Sequence, residues 1–264
     1  MEFDEFLKEA TALLGLQWRP FHRKGIKRKV ERRVADVGLP GFKEYILKVK
    51  KDSEEQLLLS KILTVTISRF FRDKEVFHIL NQSIVLDLLK EDSSELRIWC
   101  IGCASGEESY SLALLWKEKF EQTWPEVHLF ILATDIDENL LERAKDGTYK
   151  NSSLKEVPER SIENFFRKEG EFYILDRSVS ESIEFKKHDI LHEEPFLGMD
   201  LVFCRNLAFT YFSKGSQIEV LKKIALSLKE KGYLVIGKDE SLPLTYPTLF
   251  VPVFPNEKIY EKFS

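Results

Sequence analysis

The chain has 264 residues, of which 43% are hydrophobic, and its 12 Gly and 9 Pro are too few for a disordered or collagen-like protein. The formal net charge of −4 argues against a nucleic-acid-binding protein. Because no apolar run is long enough to cross a bilayer, and the first residues are acidic where a secretory signal is basic, we expect a cytoplasmic protein without a transmembrane segment.

The N-terminal third of the chain has apolar side chains at helical spacing, with turn-forming residues at Gly38 and Pro40. This pattern predicts a small all-α domain with its linker over residues 1–80. The apolar positions that define the helices are Phe3, Phe6, Leu7, Leu13 and Leu14, and then Tyr45, Ile46, Leu57, Leu58, Leu59 and Ile62.

Lys and Arg are concentrated between Gln17 and Arg33, where eight of them accompany a single acid, Glu31. Segregated charge of this kind can attract an acidic partner, although a solvated helix face has the same composition. The Gln17–Arg33 segment therefore predicts either a docking surface for an acidic protein or an ordinary exposed helix.

From Leu96 onward, short apolar runs alternate with amphipathic segments, which is typical of a parallel sheet covered by helices on both faces. We predict a doubly wound, mostly parallel, Rossmann-like α/β domain over 81–264 that ends in an antiparallel hairpin. A small β-insertion is expected around 150–182, where Glu171–Leu175 alternates. The predicted strands are Leu96–Ile101, Val127–Ala133, Ile183–Phe185, Leu201–Cys204 and Tyr233–Ile236, and the hairpin is Phe250–Phe254 with Lys258–Phe263.

The three cysteines are an odd number, unlike a secreted disulfide framework. Cys100 and Cys103 have the C-x-x-C spacing of a redox motif or half a zinc site. No second Cys/His pair has metal-ligand spacing, and the segment around them has the composition of a buried strand. We therefore expect buried structural cysteines and no metal.

The loop after the first predicted strand runs from Gly102 to Glu108 and contains two glycines, which allow a ligand to approach the backbone closely. It has no Lys or Arg and carries two glutamates, which argues against a pyrophosphate ligand. The loop favours a ligand with cationic or hydroxyl groups.

Asp135 and Asp137 end the second predicted strand. An acid at this position can accept the hydroxyls of a ribose, while Asp is also a common helix N-cap, and the two residues could divide these roles. A ribose acceptor beside a lysine-free glycine loop indicates S-adenosylmethionine before NAD.

Together these segments resemble the chemotaxis receptor methyltransferase (CheR) family, which uses S-adenosylmethionine to methylate glutamate side chains of receptors. The resemblance runs from about Phe21 to about Pro243 and rests on several motifs in order. They are Leu63–Arg72, similar to LTTNxTxFFR; Ala104–Ser111, similar to ASTGEEPYS; Thr134–Asp137, similar to SDID; Gly147–Tyr149, similar to GxY; Phe203–Asn206, similar to FCRN; and Gly232–Glu240, similar to a strand that ends in GHSE.

The resemblance implies which residues serve the cofactor and the reaction. It places Asp189 and Ile190 near the adenine, and Arg205 and Asn206 beside the methionine portion. It also implies that the β-insertion and the basic N-terminal segment dock an acidic protein substrate, and we expect a monomer. With the glycine loop included, the predicted cofactor residues are Thr66, Ser68, Arg72, Gly102, Glu108, Asp135, Asp189, Ile190, Arg205 and Asn206, and the predicted catalytic residues are Arg72 and Tyr211.

Three departures from the family pattern concern the acceptor side of the site more than the cofactor side. Thr66 and Ser68 replace Asn and Thr, and Lys238 replaces the His of GHSE. One extra residue separates Asn206 from Tyr211, so either a bulge restores Tyr211 or Thr210 takes its place.

Three functions stay open on the sequence. The first is glutamate O-methylation, which needs no general base because a carboxylate is already ionised at neutral pH. The second is methyl transfer to another protein or a small molecule, and the third is a cofactor-binding sensor without catalysis.

Overall fold

A computed structural model describes residues 1–17, 25–64, 68–89, 94–243 and 248–263. Its first part is helical, as predicted. Helix α2 buries Ile26, Val30 and Val34 at four-residue spacing, and Asp52 caps α4 by accepting hydrogen bonds from two backbone N–H groups. The helices are α1 Phe3–Leu13, α2 Ile26–Asp36, α3 Phe42–Val49, α4 Ser53–Leu63 and α5 Lys74–Ile79, continued by a π-helical turn Leu80–Ile84 and by α6 Val85–Leu89.

A seven-stranded sheet forms the centre of the molecule. The first five strands in spatial order pair with one another in parallel, and the sixth strand pairs antiparallel with both the fifth and the seventh. The predicted fold class is therefore confirmed. In spatial order the strands are β6 Ile183–Lys187, β2 His128–Asp135, β1 Glu95–Ile101, β7 Met199–Cys204, β8 Leu228–Ile236, β10 Ile259–Lys262 and β9 Phe250–Phe254. The connecting helices are α7 Glu107–Lys119, α8 Glu138–Asp146, α11 Ala208–Tyr211 and α12 Lys214–Ser227.

A second, three-stranded sheet lies in the chain between α8 and β6. It is antiparallel and includes the segment for which the sequence predicts a ribbon. The domain boundaries stay a prediction. This part contains β3 Thr148–Lys150, a 3-10 turn Asn151–Ser153, α9 Glu159–Phe165, β4 Phe166–Glu169, β5 Phe172–Leu175 and α10 Arg177–Ser180.

Alternate residues of the central strands belong to two hydrophobic clusters, because successive side chains of a strand point to opposite faces. On β1, Ile98 and Cys100 join the cluster that contains α7, whereas Trp99 and Ile101 join the cluster that contains α1–α4 and α12. The helical N-terminal part therefore shares a core with one face of the sheet.

Glu55 is a buried carboxylate at the centre of the N-terminal helices, and its side chain is 2% exposed. Arg33 donates two hydrogen bonds to it, at 2.8 and 2.7 Å, and the Tyr45 hydroxyl donates a third at 2.7 Å. The hydrogen bonds from Arg33 lower the pKa of Glu55 below its usual value, against the opposing effect of burial. Arg33 is thus a structural residue of the helical region.

We expect Glu55→Gln to lower the free energy of unfolding at pH 7 by about 1.5–3 kcal/mol, because a hydrogen-bonded ion pair is lost. Since the folded protein lowers the pKa of Glu55, this stabilisation is present above the unfolded pKa of about 4.3 and disappears as the pH falls through the folded value. Urea unfolding at pH 7 and pH 3.5 measures both effects. Glu54→Gln, at an exposed neighbouring position, is the control; an equal loss at both pH values would contradict the pairing.

Candidate functional site

The glycine loop follows β1 and leads into α7. Gly102, Ala104 and Gly106 all have positive φ, at 73°, 53° and 85°. A Cβ atom on Gly102 would lie 2.6 Å from the Leu207 side chain, so the loop requires glycine there. Two loop N–H groups donate to the Thr134 carbonyl, at 2.8 and 2.9 Å, which fixes the loop to the end of β2.

Asp135 is the last residue of β2, is hydrogen bonded to the glycine loop, and is 8% exposed. One of its carboxylate oxygens accepts from the N–H of Ala104 and the other from the N–H of Asp137, both at 2.9 Å. Burial raises the pKa of Asp135, and these hydrogen bonds oppose the shift. Asp137 caps α8 through Asn139 and pairs with Lys61 at 2.9 Å, so the two acids have different structural roles.

Arg205, directly after β7, connects three separate segments of the chain. Its side chain is 2% exposed. Nη1 donates to the Glu108 carboxylate at 2.6 Å and to the Arg72 carbonyl at 3.1 Å, and Nη2 binds the Asp73 carboxylate. Burial raises the pKa of Glu108, and the positive charge of Arg205 opposes this effect. Among the described residues, the buried Nε of Arg205 has no hydrogen-bond partner.

Glu240 holds the loops after β7 and β8 together. One carboxylate oxygen accepts from the N–H groups of Asn206 and Gly237, at 2.8 and 2.7 Å, and the other accepts from the Thr210 hydroxyl at 2.6 Å. Asn206 has a left-handed backbone with φ 56°. Glu240 is 3% exposed, so its carboxylate supplies acceptors to these groups from a buried position.

The segment after α4 approaches the site with a strained backbone. Phe71 and Asp73 have φ angles of 49° and 61°. The Phe71 N–H donates to the Ser111 hydroxyl at 2.8 Å, and this hydroxyl donates to the Glu107 carbonyl at 2.6 Å, so α7 holds the segment in place. Non-glycine residues with positive φ are uncommon and concentrate at functional sites, which supports a functional role for this region.

These segments enclose a cleft of about 760 Å³ at the carboxyl ends of β1 and β7. This is where α/β folds bind ligands. Charged side chains of both signs line it, which suits a ligand that carries both charges. The predicted residues that line the cleft are Ser68, Arg72, Gly102, Glu108, Arg205, Asn206 and Tyr211.

Among the predicted cofactor residues that the structure describes, three are not among those that line the cleft: Asp135, Asp189 and Ile190. Asp135 is hydrogen bonded to the glycine loop, and Thr66 is outside the described residues. The carboxylate of Asp189 accepts from the Leu191 N–H at 2.9 Å and contacts the His192 ring at 2.7 Å. Ile190 is 4% exposed within the core. The contacts of Asp189 and Ile190 with an adenine stay a prediction.

Thr210 and Tyr211, the two candidates of the lengthened segment, both line the cleft. The Thr210 hydroxyl donates to Glu240, so this side chain is part of the loop structure. Tyr211 is the last residue of α11. Lys238, at the position of the family's His, is exposed. Which of Thr210 and Tyr211 faces a substrate stays a prediction.

The cysteines are unpaired and buried. Burial raises the pKa of the Cys100 and Cys103 thiols, so they are protonated and poor nucleophiles at neutral pH. In the described ranges, no three His, Cys, Asp or Glu side chains are grouped as metal ligands, and no helix has the length and apolar character needed to span a membrane.

Residues 66–258 match the sequence profile of a family described as "CheR methyltransferase, SAM binding domain". This match covers more than half of the chain. The chain belongs to the CheR methyltransferase family. It is an S-adenosylmethionine-dependent methyltransferase.

Several curated relatives are similar over most of the chain. A chemotaxis protein methyltransferase of Listeria innocua is 31% identical over 232 residues, which are 87% of this chain and 86% of that protein. One from Borreliella burgdorferi is 31% identical over 214 residues, which are 78% of this chain and 75% of that protein. An uncharacterised 104.1 kDa protein of Rhodobacter capsulatus is 32% identical over 221 residues, but these are only 23% of its length.

Two residues that organise the cleft were absent from the predicted site residues, Asp73 and Glu240. Asp73 follows directly after the motif residue Arg72, and Glu240 is the last residue of the GHSE-like segment. The available signal was an acid directly after one motif and an acid at the end of another. Its meaning depends on Arg205, 132 positions from Asp73, and on Asn206, 34 positions from Glu240, and spacing does not reveal these partners.

We expect Glu240→Ala to weaken the binding of S-adenosylhomocysteine by about tenfold, because two backbone N–H groups lose their acceptor and the cleft loops separate. Glu240→Gln keeps one carbonyl oxygen for those groups and should stay within about threefold of the original affinity. Calorimetric titration measures both variants, and thermal unfolding checks that each is folded. Equal affinities for the two variants would show that Glu240 does not hold the cleft.

Proposed function

We propose that the protein methylates glutamate side chains of an acidic, helical protein, with S-adenosylmethionine bound in the cleft lined by Arg72, Glu108 and Arg205. The buried guanidinium of Arg205 carries this proposal. Arg205 lines a cleft of about 760 Å³ together with charged side chains of both signs, and one N–H of its buried guanidinium, at Nε, has no hydrogen-bond partner among the described residues.

The described residues fit the cofactor. The methionine portion carries a carboxylate and an ammonium group, for which the guanidinium of Arg205 and the carboxylate of Glu108, both at the cleft, are complementary in charge. Asp135 accepts one N–H on each oxygen, which leaves lone pairs for ribose hydroxyls. Gly102 leaves the cleft wall without a Cβ, at a point where a larger residue would meet Leu207.

The mechanism requires positioning more than proton transfer. When bound, S-adenosylmethionine supplies an electrophilic methyl group on its sulfonium, whose leaving group is a neutral thioether. A glutamate acceptor is ionised at neutral pH. The tasks of this chain are then to orient the acceptor carboxylate, through Arg72 and Tyr211 at the cleft, and to exclude water. Holding reacting groups in line can contribute about 7 kcal/mol or more.

The exposed side chains of α2 support an acidic protein as the substrate. Helix α2 buries Ile26, Val30 and Val34 in the core. Its basic side chains lie outside this core-facing stripe and are exposed: Lys27, Arg28, Lys29 and Arg32. Arg33 is excluded from this surface because Glu55 binds it. We call Arg28, Lys29 and Arg32 the basic face, and we propose that it docks an acidic helix surface. Arg19, Arg23 and Lys24 of the predicted cluster lie outside the described residues.

The first test is binding and transfer by the purified protein. We expect S-adenosylhomocysteine to bind in calorimetric titration, and radiolabelled methyl to be transferred from S-adenosylmethionine to a purified chemoreceptor cytoplasmic fragment as base-labile esters. Asp135→Ala should weaken the binding by about tenfold or more. Asp137→Asn keeps an N-cap for α8 and should bind as the original protein does.

Each outcome of this test bears on the proposal. Absence of binding at millimolar S-adenosylhomocysteine would refute the cofactor site. Base-stable label, or label on a small molecule only, would refute the glutamate acceptor and support a different methyl acceptor. Binding without transfer to receptor fragments or to cell lysate would support a sensor.

The second test concerns the basic face. Reversal of Arg28, Lys29 and Arg32 to Glu should raise KM for the receptor fragment by about tenfold, because each reversal places like charges together. The affinity for S-adenosylhomocysteine should not change, and the effect should diminish at high salt. Reversal of Lys119, Lys155 and Lys222, which are exposed elsewhere, gives the same net charge and is the control. Equal effects of the two triple reversals would contradict docking by α2.

A further inference from the structure

The segment that follows α1 is hydrogen bonded directly to the chain around Tyr211. Leu16 and Phe212 form an isolated antiparallel bridge. The N–H of Gln17 donates to the Tyr211 carbonyl at 2.7 Å, and the N–H of Ser213 donates to the Gly15 carbonyl at 2.7 Å. We call residues 15–17 the strap.

The strap is a built contact, with both polar and apolar components. The side chains of Leu16 and Phe212 are 5% and 6% exposed and belong to the same hydrophobic cluster. The Ser216 hydroxyl donates a further hydrogen bond to the Gly15 carbonyl at 3.1 Å. Gly15 has φ +65°, and a Cβ atom there would lie 3.0 Å from the same hydroxyl, so the first position of the strap favours glycine.

Helix α11, which ends at Tyr211, is too short to hold the position of this tyrosine by itself. Helix α11 has four residues, and a single helical turn has almost no stability of its own. Glu240 holds the hydroxyl of Thr210 and the N–H of Asn206, both of which precede Tyr211. At Tyr211 and after it, main-chain hydrogen bonds to the strap hold the chain, together with the Gln217 side chain, which donates to the Phe212 carbonyl at 3.0 Å.

This arrangement has a direct bearing on the one extra residue that comparison with the family motif places between Asn206 and Tyr211. A segment of greater length has more conformations available, and an added restraint at its far end reduces them. The strap supplies this restraint from a part of the chain nearly 200 residues away in sequence.

We infer that the strap is a positioning element for Tyr211, which keeps the tyrosine side chain at the cleft despite the longer segment. Gly15, Leu16 and Gln17 are positioning residues, since they act through the main chain of residues 211–213. The inference rests on the proposed methyl transfer and on the role of Tyr211 in it.

The test removes one hydrogen bond of the strap. Gln17→Pro deletes the N–H that donates to Tyr211, while the extended backbone of Leu16 is compatible with a following proline. Gln17→Ala keeps this N–H and is the matched control. In hydrogen exchange measured by mass spectrometry, we expect the 207–213 peptide to exchange about tenfold faster in Gln17→Pro, with α7 unchanged, and Gln17→Ala to match the original protein.

The kinetic readout uses the chemoreceptor fragment. Gln17→Pro should lower kcat by about tenfold and leave the affinity for S-adenosylhomocysteine within about twofold. In a double-mutant cycle with Tyr211→Phe, the loss from Gln17→Pro should largely vanish, because the hydroxyl that it positions is already absent. If Gln17→Pro does not fold, Gly15→Ala, which strains the same turn, replaces it in the cycle.

The outcomes separate this inference from the function on which it rests. Additive losses in the cycle, or unchanged exchange of the 207–213 peptide, would overturn the positioning role while methyl transfer stands. An unchanged kcat in Tyr211→Phe would overturn the inference by removing its target. Absence of transfer by the original protein, with cofactor product bound, would refute the proposed function itself.

Discussion

The cleft depends on one buried charge, the guanidinium of Arg205. Its side chain is 2% exposed, and it binds Glu108, Asp73 and the carbonyl of Arg72 at once. A buried ion that loses one partner destabilises a protein by about 3–5 kcal/mol, so the three segments around Arg205 are held to one another. This pairing explains how the positive φ angles of Phe71 and Asp73 can persist beside it.

Two buried carboxylates repeat a common arrangement across neighbouring strands. Asp135 ends β2 and accepts an N–H from the loop after β1, while Glu240 follows β8 and accepts an N–H from the loop after β7. In each case an acid from one strand end fixes the loop of the adjacent strand. The loops that line the cleft are therefore rigid without being regular, which preorganises the site for a ligand.

The fold was largely predictable, since buried parallel strands appear as apolar runs and the helices between them have helical periodicity. The loops after β1 and β7 bring Glu108 and Arg205 to one cleft, because strand ends meet at one edge of a sheet, and the motif that contains Arg72 joins them from the segment before α5. Partners distant in sequence were not predictable. The charge count assigned Arg33 to a segment that was either a docking surface or an exposed helix, but Glu55, 22 positions away, binds it. The pairing of Arg205 with Asp73 likewise leaves no pattern in the sequence.

The same contacts of Arg205 fix when the cleft can form during folding. They join residues that are 97, 132 and 133 positions apart, and such non-local contacts form slowly because long loops must close first. During synthesis from the N-terminus, the strap, α7 and β1 are all made before Arg205. Glu240, which holds the loops after β7 and β8, is made later still, so the cleft is incomplete until the chain has grown past it. Binding of the cofactor therefore stabilises only the nearly finished protein.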